Sequence, residues 1–597
     1  ESAVSPSTNP ILTSLSKPPI LAPYQFNEDG EQLTILDDVD ELGTSNPAAV
    51  VKNFEGENNN YRLIASMKGQ ADLSKTLKWN TLLGLNVNTM REFVFRPNIG
   101  METYYMGEAH NVSQSTNNHL FSFYSDNYLD FSNQYGSEHI INASPGFKLY
   151  TNALQVDYGE AKNLPANDQY LNLSSGQEDL RVIGGRNTKW NWLLVYNKIN
   201  YKYKDKYILK GGLSADMSTR IGDQAEPDLR VLDLPLGLFY SLGGGWRLSQ
   251  EPFLNQISVL DNLMLRASYG KSGNDNIGNY NALDYYRLIR YQQSSGLIPG
   301  SMGNTALKYE TIRQFNTGID LALWGDRTRF TAEFYIKRTE DLFIYKPQKS
   351  YAGFEYKPVN SGILENKGWE FSFFQRLIDG KRFKWDFSSS VSLLSNEILD
   401  LEGLELITSF PGGEFVTRER APVNSFYGYE FNGVYPDHEE AESASLENAK
   451  GFSYGAGDAI YKDVSGPENK PDSIINDFDK VNLGSPIPEL FGSIANGFTY
   501  EQWSLNIMVQ FVYGNEIFNY TRYMNERMVD LSNQSKNVLN RWQYDGDQTN
   551  VPRALWNDPI GNSDFSSRWI EDGSYIRLKN VTLRYTIPNE FFVFKND

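Results

Sequence analysis

Residues 314–337 alternate between apolar and polar side chains on both sides of a Gly325-Asp326 pair, and this pattern restricts the fold more than any other feature of the sequence. A Gly-Asp pair between two alternating runs predicts a β-hairpin with a tight turn. With Trp324 paired to Arg327, the apolar face would consist of Leu321 with Phe330, Ile319 with Ala332, Thr317 with Phe334 and Phe315 with Ile336. The polar face would consist of Asp320 with Thr331, Gly318 with Glu333, Asn316 with Tyr335 and Gln314 with Lys337. One register therefore sorts both strands into an apolar and a polar face.

Two other segments repeat this two-faced pattern. A turn at Glu501-Gln502 predicts the apolar pairs Tyr500 with Trp503, Phe498 with Leu505, Ile494 with Val509 and Gly492 with Phe511. A three-residue loop of Ile378, Asp379 and Gly380, with glycine where a left-handed backbone is needed, predicts the pairs Phe373 with Trp385 and Phe371 with Phe387. In each hairpin aromatic residues crowd one face, and the other face carries charges and hydroxyls that a dry core could not satisfy.

This arrangement is typical of an outer-membrane β-barrel, which has lipid outside, water or a plug inside, and aromatic girdles at the interfaces. A soluble all-β protein, whose strands also alternate, is the alternative that patterning alone leaves open. The sequence contains no run of about 18 apolar residues, so no membrane helix is expected. We therefore predict an all-β fold: a large antiparallel transmembrane β-barrel with long extracellular loops.

Short and long connections alternate along the chain. Short turns are predicted near residues 74, 204, 325, 379 and 501, and long connections at about 96–189, 271–311, 341–365, 397–487 and 516–572. In porin-like barrels the long connections are extracellular. We therefore predict a lead-in loop over residues 1–58 and a barrel portion over 59–597, with weak strand-like pieces at 120–124 and a short helix at 437–450 inside the loops.

This division predicts roughly thirteen membrane-spanning strands, whereas single-chain bacterial barrels use an even number. An open sheet edge is not viable in lipid, because its backbone groups would lack hydrogen-bond partners. We expect that further chain completes the barrel, and that an N-terminal plug and the final strands lie outside this sequence.

Charge and composition exclude several classes of function. The net charge of −19 argues against nucleic acid as a partner. The chain has no cysteine, which excludes disulfides and thiolate metal sites. Its four histidines, at positions 110, 119, 139 and 438, show no catalytic or metal-binding spacing, and no nucleophile elbow or phosphate-binding loop is present. We therefore predict that the protein is not an enzyme.

An acidic run at residues 457–479 is the candidate for a metal site. Closely spaced carboxylates suit a hard cation such as Ca²⁺. The candidate calcium ligands are Asp458, Asp463, Asp472, Asp477 and Asp479. The alternative is a solvated acidic loop with no bound ion.

Aromatic residues in the predicted long loops are candidates for contacts with sugar rings or with another protein. Packing among the loops themselves is an equal alternative. The residues concerned are Tyr104, Tyr105, Phe121, Tyr124, Tyr285, Tyr286, Trp542 and Trp556.

Several segments together resemble the SusC/RagA-like TonB-dependent transporters of Gram-negative outer membranes. They are 206–209 (KYIL), 214–218 (SADMS), 245–253 (GWRLSQEPF), 265–274 (LRASYGKSGN), the hairpin 310–343, 360–370 (NSGILENKGWE), 484–488 (GSPIP), and 574–580 (SYIRLKN) leading to Pro588. Their order and spacing resemble this family across essentially the whole chain. The acidic run departs from the family, which often shows an Asp-x-Asn-x-Asp-Gly-like pattern there, because this chain has Asp463-Val-Ser-Gly followed by an insertion.

The resemblance implies a 22-stranded outer-membrane barrel with an N-terminal plug and a SusD-like lipoprotein as a lid over the extracellular mouth. It also implies import of oligosaccharides or oligopeptides, driven by TonB. The polar residues Asp320, Glu333, Glu370 and Asp386 are then expected to line the water-filled interior or to brace the plug.

A second hypothesis is that the SusC-like barrel is a structural subunit of a larger outer-membrane complex for protein secretion or barrel assembly. A scaffold and a transporter would share the same lipid-facing pattern. The discriminating feature is a plug with a TonB-contacting segment, which favours transport.

Overall fold

One large antiparallel sheet organises the chain in the computed structural model, which describes residues 9–39, 44–101, 109–165, 172–226, 228–231, 234–291, 294–466 and 470–588. Fifteen of its 16 strands form a single path in which each strand pairs with the next one along the chain. These strands are β1 (Glu55–Asp72), β2 (Leu77–Arg96), β3 (Val112–Tyr135), β4 (His139–Ala161), β5 (Val182–Tyr203), β6 (Tyr207–Ser218), β7 (Leu234–Arg247), β8 (Leu260–Asn274), β9 (Glu310–Leu323), β10 (Thr328–Glu340), β11 (Ile363–Asp379), β12 (Phe383–Asp400), β13 (Leu490–Tyr500), β14 (Trp503–Tyr513) and β15 (Tyr575–Tyr585). The sixteenth strand, Leu229–Val231, pairs with the start of β7.

Two of the three predicted hairpins have the predicted register. All eight pairs predicted between β9 and β10 are present, and so are the four apolar pairs predicted between β13 and β14. In the β9–β10 turn, Trp324, Gly325 and Asp326 all have positive φ angles of 58°, 67° and 59°. The backbone N–H groups of Gly325 and Asp326 donate to Asp261 Oδ2 at 2.6 and 3.1 Å. This carboxylate, at the start of the neighbouring strand β8, stabilises the strained turn.

The register predicted for the third hairpin is wrong. Phe373 pairs with Ser389 rather than with Trp385, and Phe371 pairs with Val391, so each partner lies four residues further along. The strands continue to Asp379 and begin again at Phe383, and Leu377 forms a bulge between them. Gly380 does not adopt a positive φ, which removes the reason for placing the turn there. Because four is an even number, the apolar and polar faces are nevertheless as predicted.

The predicted long loop at 96–189 is also wrong. It contains β3 and β4, which a short turn at 136–138 connects, and only 97–111 and 162–181 remain as connections. The polar positions of β3 are rich in Ser, Asn and Asp, and these residues conceal the apolar set that includes Phe121 and Phe123. Phe121 and Tyr124 are therefore strand residues, and the sheet has fifteen consecutive strands rather than roughly thirteen.

Two smaller predictions also need correction. The lead-in at residues 1–58 contains helices α1 (Pro10–Ser16) and α2 (Pro47–Asn53), a hairpin of Tyr24–Phe26 with Gln32–Leu36, and the start of β1. The predicted helix at 437–450 is α3 (His438–Ala444), which is shorter than expected. Asp437 caps it as predicted by accepting from the Glu440 N–H at 2.8 Å, and Ser445 ends it in the left-handed conformation.

The large sheet has an exposed apolar face and a polar face. Leu213 and Leu242 lie on the apolar face and are 54% and 59% exposed. Aromatic rings line this face beside the short turns: Tyr207 stacks on Tyr203 at 6.2 Å and on Trp246 at 6.3 Å, and Trp503 packs on Tyr585 at 4.7 Å. Among the described residues, no helix is both long and apolar enough to cross a membrane.

Short and long connections alternate between the two ends of the sheet, as predicted. The long connections carry their own small sheets, which are Tyr285–Tyr291 with Ser294–Ser301, Phe343–Pro347 with Tyr356–Asn360, Phe431–Val434 with Ala459–Tyr461, Glu447–Asn448 with Ile474–Ile475, Glu516–Phe518 with Ile570–Asp572, and the four strands Leu406–Phe410, Gly413–Thr417, Ser425–Gly428 and Val481–Gly484. They also contain α4 (Tyr520–Glu526) and 3-10 helices at Leu173–Ser175, Glu178–Leu180, Ser350–Ala352, Asp477–Asp479, Lys536–Asn540 and Ser567–Trp569, and a further one, Leu248–Gln250, lies at the short-turn end. We call the end of the sheet that carries the long connections the long-loop end.

Candidate functional site

The two longest connections, at 401–489 and 514–574, pack against each other at the long-loop end, and we call them together the loop body. One buried apolar cluster joins them through Tyr429, Tyr435, Ala441, Tyr454, Ala459, Tyr461, Ile475 and Ile560. A second contact is aromatic: Phe565 packs on Phe410 at 5.6 Å and on Phe518 at 5.2 Å. Burial of these aromatic rings stabilises the loop body as a folded unit.

Asp458 links the two connections inside this unit. Its carboxylate is fully buried and accepts two hydrogen bonds from the Arg553 guanidinium, at 2.7 and 2.8 Å. Asn562 Nδ2 and the Gly455 N–H donate to the same carboxylate at 2.9 and 2.8 Å. A buried carboxylate with this many donors forms a structural ion pair.

The other predicted calcium ligands are also engaged in local hydrogen bonds. Asp479, fully buried, accepts from the N–H groups of Val464, Ser465 and Asn476. Asp463 accepts from the N–H groups of Asp472 and Ser473, Asp472 accepts from Ile474, and Asp477 pairs with Lys480. Within the described residues no three His, Asp or Glu side chains are grouped so as to hold a metal ion. The prediction of one calcium site therefore has no geometric support in this part of the chain.

The candidate aromatic residues have different surroundings. Tyr104 and Tyr105 lie outside the described residues. Tyr285 and Tyr286 lie exposed on the hairpin that begins with them, and Trp556 is exposed on the loop body. Trp542 instead donates its indole N–H to the Pro436 carbonyl at 2.8 Å, so it packs within the loop body.

On the polar face of the sheet, Arg266 organises two of the predicted acidic residues. Its Nε lies 3.1 Å from Asp320 Oδ2, and its Nη2 lies 2.8 Å from Glu333 Oε2. Glu370 lies directly across the ladder from Glu333. Arg266 was not among the residues predicted from the sequence, although the register that pairs it with Gly318 places it beside both carboxylates.

A second acidic position on this face is also paired with an arginine. Arg376 Nε lies 2.9 Å from Asp386 Oδ1, across the β11–β12 hairpin. The polar face therefore carries paired charged side chains. Such groups are costly in a dry core and are expected on a surface that faces water.

The loop body also contains a cavity of about 320 Å³ that the sequence analysis did not predict. Its lining residues come from distant parts of the chain: Ser409, Gly412, Gly413, Glu414, Tyr427, Tyr429, Lys480, Tyr523, Ser563, Asp564 and Phe565. Although the Asp564 side chain is itself exposed to solvent, desolvation by the surrounding loop body raises its pKa to about 6, and the neighbouring Asp558 carboxylate adds to this effect. Burial alone would lower the pKa of Lys480, but hydrogen bonds to Asp477 and Glu414 outweigh it and leave that pKa above its ordinary value.

A serially paired antiparallel sheet with an apolar outer face, a polar inner face, aromatic girdle residues and long connections at one end defines an outer-membrane β-barrel protein. The family model for the TonB dependent receptor-like β-barrel matches residues 20–595. The chain belongs to this family, whose members lie in the Gram-negative outer membrane, and it resembles the SusC/RagA type.

Curated relatives carry the same resemblance. TonB-dependent receptors P3 and P26 of Formosa agariphila are each 27% identical to this chain, over 95% and 94% of it and over 55% and 56% of their own lengths. TonB-dependent receptor SusC of Bacteroides thetaiotaomicron is 25% identical over 67% of this chain and 38% of its own length. The chain thus spans about half the length of the first two relatives.

The fold also matches a solved transporter. The structure of the RagAB peptide transporter superimposes with a TM-score of 0.79 at 22% identity, covering 98% of this chain and 61% of that chain. The same transporter in a state described as closed-closed gives the same TM-score. At this identity the match concerns the fold alone.

Proposed function

We propose that this chain forms the barrel portion of a SusC-type TonB-dependent importer of oligosaccharides or oligopeptides. The observation that carries the proposal is the combination of a polar, ion-paired inner face with a folded loop body at the long-loop end. A water-lined passage needs a polar inner face, and selection of a solute before entry needs a folded structure at the long-loop end. Family membership supports transport over catalysis.

The proposed partners follow from the same reasoning. A SusD-like lipoprotein would cover the long-loop end, as the resemblance to SusC/RagA-like transporters implies, and the matched solved structures are those of the RagAB peptide importer. TonB would supply the driving force through a plug of the kind that the family uses. Lipid would surround the apolar face, whose exposed leucines would otherwise lie in water.

Gentle detergent extraction of the natural protein from its own membranes, followed by mass spectrometry, tests this proposal. We expect one SusD-like lipoprotein to co-purify with a polypeptide that includes a plug. Recovery in a stable assembly with secretion or barrel-insertion components would contradict the importer proposal and support the structural-subunit alternative. Uptake of labelled oligosaccharides and oligopeptides, compared in cells with and without TonB, then separates transport from passive diffusion.

A further inference from the structure

The cavity in the loop body lies between three parts of the chain. One wall is the hairpin of Leu406–Phe410 and Gly413–Thr417, the second holds Tyr427, Tyr429 and Lys480, and the third is 563–565 with Tyr523. Its volume of about 320 Å³ falls at the lower end of the range for small-molecule sites, roughly 300–1,000 Å³. The cavity is therefore large enough for a small organic ligand.

Several polar groups in the cavity are unused by the protein. Within the described part of the chain, nothing donates a hydrogen bond to the Asp564 carboxylate, and the side-chain hydroxyls of Ser409, Tyr427 and Tyr429 have no hydrogen-bond partner. These atoms are not sealed inside the protein, since none of them is among the buried unpaired atoms. A carboxylate and three hydroxyls are therefore available to a ligand.

The charges that line the cavity disfavour anionic ligands. Lys480 Nζ lies 2.8 Å from Glu414 Oε2 and 2.8 Å from Asp477 Oδ1, so its charge is already compensated. Asp564 would therefore repel a phosphate, a uronate or a peptide carboxylate. Hydroxyls both donate and accept hydrogen bonds, which suits a neutral ligand with the same property.

Aromatic rings supply the apolar surface of the cavity. Phe565, Tyr429 and Tyr523 line it, and the Phe565 ring is held by contacts with Phe410 and Phe518. Rings locked in this way offer a rigid apolar surface beside polar groups. We propose that this cavity binds one neutral sugar ring of an oligosaccharide, with Asp564 accepting hydroxyl hydrogen bonds and the aromatic rings packing against the ring carbons.

This inference deepens the proposed function, because it assigns a substrate class and a binding position to the importer, but binding can be measured without transport. Full-length protein in detergent is titrated calorimetrically with short neutral oligosaccharides of glucose, mannose, galactose and xylose. Glucuronate oligomers and tetraglycine serve as the anionic and peptide probes. We expect at least one neutral sugar to bind, and the two other probes not to compete with it.

Two variants test the cavity itself. Asp564→Asn removes the unpaired charge, and Ser409→Trp places a bulky side chain at another lining position. Each is expected to lower sugar affinity at least tenfold. Glu442→Gln removes a carboxylate from α3 in the same loop body, outside the cavity lining, and is expected to leave affinity unchanged. Thermal unfolding of each variant establishes that it is folded before binding is measured.

The outcomes separate the two proposals. Equal sugar affinity in the wild type, Asp564→Asn and Ser409→Trp would overturn the cavity assignment, as would failure of every neutral sugar to bind. Preference for glucuronate or tetraglycine at this cavity would overturn the ligand class. Sugar binding that depends on Asp564, in cells that import no oligosaccharide, would sink the importer proposal and leave the binding site standing.

Discussion

Glu251 is the residue of the 245–253 motif whose side chain makes the contacts that stabilise this part of the barrel. It is buried after the 3-10 helix Leu248–Gln250 and accepts from Tyr207 OH at 2.7 Å and from Trp246 Nε1 at 3.0 Å, while Lys206 Nζ lies 3.2 Å away. Through Glu251, the 245–253 motif therefore fixes two aromatic residues of the girdle, Tyr207 and Trp246, beside the short connection between β7 and β8. The hydrogen bonds from Trp246 and Tyr207 lower the pKa of Glu251.

We expect Glu251→Gln to lower the thermal midpoint of the protein at neutral pH, because the amide loses the charge that strengthens these hydrogen bonds. A carboxyl group whose folded pKa is depressed stabilises the protein above its unfolded pKa, and this contribution is lost as pH falls through the folded value. The difference between variant and wild type should therefore shrink at acidic pH. Parallel thermal unfolding curves in detergent at neutral and acidic pH check this, and identical midpoints at neutral pH would refute it.

Asp564 is predicted to have the opposite pH dependence. Desolvation by the surrounding loop body raises its pKa to about 6, above its ordinary value of 3.8, so the folded protein holds this proton more tightly than the unfolded chain does. Its contribution to stability therefore falls as pH rises between these two values. We expect Asp564→Asn to be at least as stable as wild type at pH 7.5, with a weaker loss of stability from pH 5 to pH 7. Unfolding midpoints measured across that range test this, and a variant clearly less stable at pH 7.5 would show that the carboxylate is structurally required.

At the scale of the strand, the two faces of β8 give a matched pair of positions. Leu265 lies on the exposed apolar face, in register with Ile319, and Ser268 lies on the polar face, in register with Asn316. Because the two positions are three residues apart on one strand, their side chains lie on opposite faces of the sheet.

We expect Leu265→Arg to cost about 2–4 kcal/mol of stability, the range measured for arginine near the midplane on the lipid face of a barrel. Ser268→Arg should be tolerated, because its side chain would enter the polar interior. Denaturant unfolding in lipid vesicles and the yield of folded protein in the outer membrane provide the measurement. Equal losses in the two variants would contradict this assignment of faces.

The hairpins also show the limits of prediction at this scale. Two-residue turns such as Glu501-Gln502 leave little freedom, so the register of β13 and β14 followed directly from the pattern. In the β11–β12 hairpin the bulge at Leu377 and a turn beyond Asp379 moved every partner by four residues. A bulge depends on how the neighbouring strands twist, which local alternation does not reveal.

Across the whole molecule, the N-terminal segment packs on the loop body although they are far apart in the chain. The Asn533 N–H donates to the Ser16 carbonyl at 2.6 Å, and Asn533 Nδ2 donates to the Leu15 carbonyl at 3.1 Å. Helix α1 thus joins the assembly at the long-loop end.

Because the chain has no cysteine of its own, this contact can be tested with an introduced disulfide. We expect Ser16→Cys with Asn533→Cys to cross-link under mild oxidation, with a mobility shift that a reducing agent reverses. Ser16→Cys with Ser74→Cys is the control, since Ser74 lies in a turn at the opposite end of the strands. Cross-linking in the control alone, or in neither pair, would refute the packing of α1 on the loop body.

The sequence by itself determined the architecture of this protein: an antiparallel barrel sheet, its two faces and the end that carries the long connections. These features follow from the local alternation of apolar and polar residues and from the residues at the turns, both of which are visible in the sequence. The tertiary structure alone decided the strands β3 and β4, whose polar positions concealed their periodicity, and the pairing of Arg266 with Asp320 and Glu333. It also decided that Asp458 pairs with Arg553 and that Asp564 lines a cavity. Those contacts join residues that lie far apart in the chain, and the folded loops rather than any local pattern bring them together.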